Sequence, residues 1–139
     1  MSDTAEAAVR DYYDALRGGD PLERYFLEDE STAKFGISEA LFGYDAVADA
    51  LREQTGTTEG WTVESERLTV AEHGAYATFA DEVTMAWTDT EAETDRRFET
   101  RWSGTLARRE ALEKDSSAAQ PDDPAWLFRT MHVSTAAEL

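Results

Sequence analysis

Apolar positions along the first half of the chain recur at helical spacing. Ala5, Ala8, Val9, Tyr12 and Leu16 fall three or four residues apart and form one stripe, which predicts a helix over roughly the first sixteen residues. Asp3 and Glu6 have the spacing of a capping box, and Gly18-Gly19 supplies a stop. Asp20-Pro21-Leu22-Glu23 opens a second, short helix carrying Leu22, Tyr25, Phe26 and Leu27, with proline at a position where no N–H is needed. Ser31 to Phe42 predicts a short strand and a turn at Gly43, and Asp45 to Gln54 a third helix with Val47, Ala50 and Leu51 inward. From Trp61 the period changes to two. Strands are predicted over Trp61–Val70, Ala75–Thr88, Arg96–Arg109 and Trp126–Thr135, with a turn at His73-Gly74. Glu110 to Pro124 reads as a surface loop. Helices followed by a strand meander predict an α+β fold, an antiparallel sheet with helices on one face, in one domain over 1–139.

The length of 139 residues suits one domain with a sizeable core. Thirty acidic residues against thirteen basic ones give a net charge of −17, spread along the whole chain. Such a field repels phosphate backbones and anionic lipid, so neither nucleic acid nor membrane is an expected partner. It also suggests adaptation to high salt, where self-repulsion is screened within about 3 Å at 1 M. The melting temperature should therefore climb steeply between dilute buffer and molar KCl, and a flat profile would contradict that reading. No cysteine is present, so disulfides and thiolate sites are excluded. No apolar run has the length of a membrane span and the acidic start lacks a signal-peptide pattern, so a cytoplasmic setting is expected.

Two motifs, taken in order, carry a resemblance. Phe42-Gly43-Tyr44-Asp45-Ala46-Val47 opens the third helix, and Trp126-Leu127-Phe128-Arg129-Thr130-Met131-His132-Val133-Ser134 closes the sheet. Arg101-Trp102-Ser103-Gly104-Thr105-Leu106 on the preceding strand adds a weaker match. With the helix order, these resemble the SnoaL-like branch of the nuclear transport factor 2-like superfamily, over about residues 4 to 136. The resemblance implies a cone of curved antiparallel sheet wrapped around the long helix, a pocket between sheet and helices, and a homodimer. Members span polyketide cyclases, ketosteroid isomerases, dehydratases, kinase association domains and binding or scaffolding modules, so it leaves activity open.

Strand alternation picks out candidate groups. Phe79, Asp81, Val83, Met85 and Trp87 share one face, apolar apart from one carboxylate. Asp81 is the candidate acid or base, since burial among apolar groups tunes a carboxyl toward neutral pH. The resemblance supports an inward aspartate acting without metal. His132, expected to share a face with Phe128, Thr130 and Ser134, matches the family's closing histidine and is the second catalytic candidate, holding an oxyanion with Tyr12 or a tryptophan N–H. Arg101 offers a fork for a carboxylate, and Tyr12, Trp61, Phe79, Trp87 and Trp102 could line an apolar pocket. No cofactor is expected. The two histidines are 59 residues apart without metal-ligand spacing, and no nucleophile elbow, calcium loop or phosphate loop occurs. Two functions follow. One is a pocket for a small apolar or aromatic molecule, with or without isomerase, dehydratase or cyclase chemistry. The other is a homodimeric scaffold with a vestigial pocket.

Overall fold

The computed structural model describes residues 4–109 and 124–136. Asp3 and most of the predicted 110–124 loop lie outside them. Helix α1 (Ala5–Gly18) is capped by Thr4, whose hydroxyl accepts from the Ala7 N–H at 3.1 Å. It ends where Gly19 turns left-handed at φ 70° and the Asp20 N–H reaches the Ala15 carbonyl at 2.9 Å. The predicted stripe is its buried face, widened by Tyr13. The second predicted helix is a single 3₁₀ turn, Glu23–Tyr25. The third is α2 (Tyr44–Thr57), which runs past Gly56, beyond the predicted end.

Seven strands follow in chain order: β1 (Ala33–Gly36), β2 (Glu39–Phe42), β3 (Thr58–Ser65), β4 (Thr69–His73), β5 (Tyr76–Asp89), β6 (Thr94–Arg108) and β7 (Trp126–Thr135). The predicted Ser31–Phe42 strand is therefore a hairpin, turning at Ser38 with φ 70°. The predicted Trp61–Val70 strand is two strands, β3 and β4, lying end to end along β5. The sheet order is β2-β1-β7-β6-β5-β3. Every pairing is antiparallel except β1 with β7, which is parallel, so the sheet is mixed rather than wholly antiparallel. The sheet curves without closing.

Helix α1 packs on one face of this sheet. Val9, Tyr12, Tyr13 and Leu16 meet Val83, Trp102, Phe128 and Met131 in a continuous core. Tyr12 makes edge-on contacts with Tyr25, Phe26, Trp102 and Phe128, with ring centroids 5.3–6.2 Å apart. The guanidinium of Arg17 donates twice to the Val63 carbonyl, fastening the helix end to β3.

One register shift matters for the site. β7 pairs with β6 in step from Thr135 to Thr130, but Leu106 then faces Phe128, so Arg129 is an extra residue. A bulge of this kind reverses which side chains point inward across it. Gly104 pairs with Met131, beside the bulge. A Cβ there would come within 2.1 Å of the Thr130 carbonyl oxygen, so the glycine of the Arg101–Leu106 motif is a steric requirement of the bulged pairing.

Candidate functional site

A cavity of about 310 Å³ opens between α1, α2, the β1–β2 hairpin and the inner face of the sheet. Its floor is aromatic and aliphatic: Trp61 from β3, Met85 and Trp87 from β5, Trp102 from β6 and Val133 from β7. Trp61 and Trp87 stack with centroids 4.5 Å apart and planes 17° from parallel. Adjacent antiparallel strands place these two rings together, since Thr62 pairs with Ala86. Two indole N–H groups are already committed. Trp61 Nε1 donates to Thr58 Oγ1 and Trp102 Nε1 to Thr100 Oγ1, each at 2.8 Å.

The polar end of the cavity comes from the hairpin and the helices. Lys34 alternates inward from β1 while Phe35 points out, 38% exposed. The Lys34 side chain is 8% exposed, and its Nζ lies 2.5 Å from Glu39 Oε1. Tyr12 from α1 and Gln54 from α2 also line the cavity. Burial first, and the charge of Glu39 second, push the Tyr12 hydroxyl well above its ordinary pKa. It is therefore a neutral donor throughout the physiological range. Glu39 folds back over Gly36, where a Cβ would lie 2.5 Å from its Oε1.

The sequence-derived candidates divide into three groups. Tyr12, Trp61, Trp87 and Trp102 line the cavity together. Asp81 and Phe79 point inward but do not line it. Phe79 is core, with its ring 5.5 Å from Phe128. Asp81 is 4% exposed and fully engaged. Its Oδ2 accepts from the Tyr13 hydroxyl at 2.9 Å and the Ser65 hydroxyl at 2.6 Å, and its Oδ1 from the Arg67 N–H at 2.9 Å. This carboxylate joins α1 to the β3–β4 link, and burial together with its charge raises the pKa of Tyr13. Arg101 and His132 stand on the opposite face of the sheet. The bulge at Arg129 turns Phe128 inward, away from the face that carries His132, whose exposed ring meets Phe35 edge-on at 5.8 Å. Both border a separate, open hollow of about 530 Å³ with Arg67, Glu82, Ser103 and Ser134, and Asp81 also reaches its lining.

Lys34, Glu39 and Gln54 were missed in the sequence. The only available signal was that Lys34 is one of two lysines among thirteen basic residues and sits between Ala33 and Phe35 in an otherwise apolar strand.

The sequence matches the SnoaL-like domain family over residues 5–111, most of the chain. The protein belongs to the SnoaL-like domain family. Comparison with curated proteins gives no match. Solved structures agree on the fold. A nuclear transport factor 2-like superfamily protein from Salmonella enterica superposes with a TM-score of 0.74 at 15% identity, covering 95% of this chain and 88% of its own. A candidate dehydratase of the same family from Streptomyces avermitilis gives 0.75 at 14%, covering 96% and 94%. A ketosteroid isomerase-like protein from Erwinia carotovora gives 0.70 at 14%, also covering 96% and 94%. At these identities the likeness fixes the SnoaL-like fold and leaves the chemistry to the residues of the cavity. No helix among the described residues is long and apolar enough to cross a membrane.

Proposed function

We propose that this SnoaL-like domain binds a compact planar molecule in the cavity beneath its sheet, with cofactor-free acid/base chemistry of the isomerase, dehydratase or cyclase kind. One observation carries this reading. A 310 Å³ space walled by Tyr12, Trp61, Trp87 and Trp102 has its polar groups gathered from the hairpin and helices that close it. That combination of flat apolar walls and a few convergent polar groups is what a small-ligand site requires. Neighbours of the same fold named as a candidate dehydratase and a ketosteroid isomerase-like protein point the same way.

The test is a thermal-shift screen in molar KCl with small planar ketones, lactones and aromatic acids. A ligand at 100 times its Kd stabilises by about 2.7 kcal/mol, a rise of several degrees for a domain of this size. A cooperative melt with no shift across the panel would overturn the reading.

A second role is compatible with the first, and a different observation favours it. The outward side chains of Thr78, Ala80, Ser103, Thr105 and Thr130 form a small uncharged tract, bordered by the Glu82–Arg101 pair, on a chain of net charge −17. Phe35, Phe42 and Tyr76 lie 38%, 71% and 53% exposed. Two strongly acidic copies meet at lowest electrostatic cost through such a tract. Sedimentation in molar KCl is expected to show a homodimer, weakened by Phe42→Glu. A monomer at micromolar concentration would contradict it.

A further inference from the structure

The cavity offers a ligand π surface and negative charge. Trp61, Trp87 and Trp102 supply three indoles to its wall. Two of their N–H groups are engaged, Trp61 Nε1 with Thr58 and Trp102 Nε1 with Thr100. The indoles stack in a row that continues to Phe98, whose ring lies 5.5 Å from that of Trp87. Trp61 ends this row on β3, at the edge of the sheet, so its second face meets no other ring among the described residues. Such a face carries negative potential. The hydroxyls of Thr57 and Thr58 donate to the Glu53 and Gln54 carbonyls at 2.9 and 2.6 Å, so toward a ligand they are acceptors. The charged groups of the lining are one lysine, Lys34, and two glutamates, Glu39 and Glu53. Glu39 lies 2.5 Å from the Lys34 ammonium and covers its charge. Glu53, exposed on α2, makes no ion pair among the described residues and keeps its negative charge on the lining.

We propose that the cavity selects a compact aromatic cation, a planar ring bearing a quaternary or protonated nitrogen, over neutral and anionic molecules of the same shape. This deepens the ligand reading given above and rests on it. The Trp61 face attracts the cation through its ring quadrupole, and an indole is the best side chain for that contact. Glu53 adds a carboxylate from the helix side. Lys34 does not repel the ligand at full strength, because Glu39 neutralises it at the far end of the hairpin strand. An anion meets the reverse of each term, on a chain whose net charge of −17 already excludes it. Charge selection therefore comes from the wall and the helix, while the flat shape of the space sets the size.

The probes are three bicycles of one shape at pH 8: N-methylquinolinium, neutral 4-methylquinoline and anionic quinoline-4-carboxylate. Each is titrated calorimetrically into the full chain in molar KCl, where loose adsorption of a cation to the acidic surface is screened. The cation is expected to bind at one site, at least about tenfold tighter than the neutral ring and tighter still than the carboxylate. The decisive quantity is the ratio of cation to neutral affinity, which a mere change of cavity shape leaves alone. Trp61→Leu should bring that ratio to about threefold or less, the scale of a lost desolvated cation–π contact. Glu53→Gln, at an exposed position, should weaken the cation about two- to fivefold and leave 4-methylquinoline unchanged. Trp87→Leu serves in place of Trp61→Leu if the latter does not melt cooperatively. A neutral ring or carboxylate bound as tightly as the cation, or a ratio that neither the tryptophan nor the Glu53 variant moves, would overturn charge selection and leave the ligand reading intact. No binding by any of the three, together with no shift across the ketone, lactone and acid panel, would overturn both.

Discussion

Asp81→Ala is expected to lower stability by about 3 kcal/mol or more, since each hydrogen bond to a charged group contributes about 1.5–3 kcal/mol. For a domain of this size that is a drop in melting temperature of roughly 10 °C or more. The carboxylate accepts from Tyr13, Ser65 and the Arg67 backbone. Its removal strands three donors at the junction of α1 with the β3–β4 link, and a buried donor left alone carries its full desolvation cost. Asp81→Asn should be much milder, at about 1–2 kcal/mol. The amide oxygen still accepts from Arg67, and the two hydroxyls can rotate to accept from its NH₂. Chemical denaturation in molar KCl measures both. Alanine and asparagine variants melting alike, within about 1 kcal/mol of wild type, would show that this carboxylate does not fasten the helix to the sheet.

Gly104→Ala is the second large effect. The new Cβ would meet the Thr130 carbonyl oxygen at 2.1 Å and the Phe79 ring at 3.0 Å. The carbonyl is backbone, and its strand is held by the Thr105 N–H donating to Thr130 Oγ1 at 3.1 Å. It cannot yield without opening the β6–β7 pairing. Overpacking typically costs 1–3 kcal/mol, and a backbone clash belongs at or above the upper end, so a loss of about 3 kcal/mol or more is expected. The contrast is Gly36→Ala, where the close atom is the free end of a side chain and little stability should be lost. Equal melting of wild type and Gly104→Ala would mean that β7 does not bulge at Arg129.

Much of the fold was legible because its signals are local. The stripe from Ala5 to Leu16 and the alternation of Phe79 to Trp87 each predict a buried face, and each face is the one observed, while the Gly18-Gly19 stop ends α1 where expected. The SnoaL-like resemblance rested on two motifs, of which Phe42–Val47 lies within the matched residues 5–111 and the closing strand lies beyond them. The failures share a different cause. The split of β3 from β4 and the β1–β2 turn at Ser38 interrupt short segments too brief to show a period. The parallel pairing of β1 with β7 joins residues nearly a hundred positions apart. Neither depends on composition that can be read from one stretch of chain.

The site was legible by half. Four aromatic residues could be placed because inward aromatics on long strands and on α1 have nowhere else to go. The polar candidates lie outside this cavity. Asp81 does face inward, as its alternation implies, but its partners come from α1 and the β3–β4 link, contacts invisible along the chain. His132 was placed by unbroken alternation through β7, and the single extra residue at Arg129 separates its face from that of Phe128. Lys34 and Glu39 were overlooked because a charged pair in a short strand ordinarily belongs to solvent. Lys34 is buried and Glu39 half-buried against it where the hairpin borders the cavity.

The most direct test of the ligand-binding cavity uses Ala50, a small half-buried residue of α2 on its wall. Phenylalanine at this position would occupy the space from the helix side without touching the sheet core. Tryptophan fluorescence is followed while 2-tetralone is titrated into wild type and Ala50→Phe in molar KCl. The cavity account predicts saturable quenching in the wild type and an affinity at least about tenfold weaker in Ala50→Phe, a difference of about 1.4 kcal/mol, with both proteins melting cooperatively. Equal affinity in the two proteins, or no saturable quenching in the wild type, would contradict it.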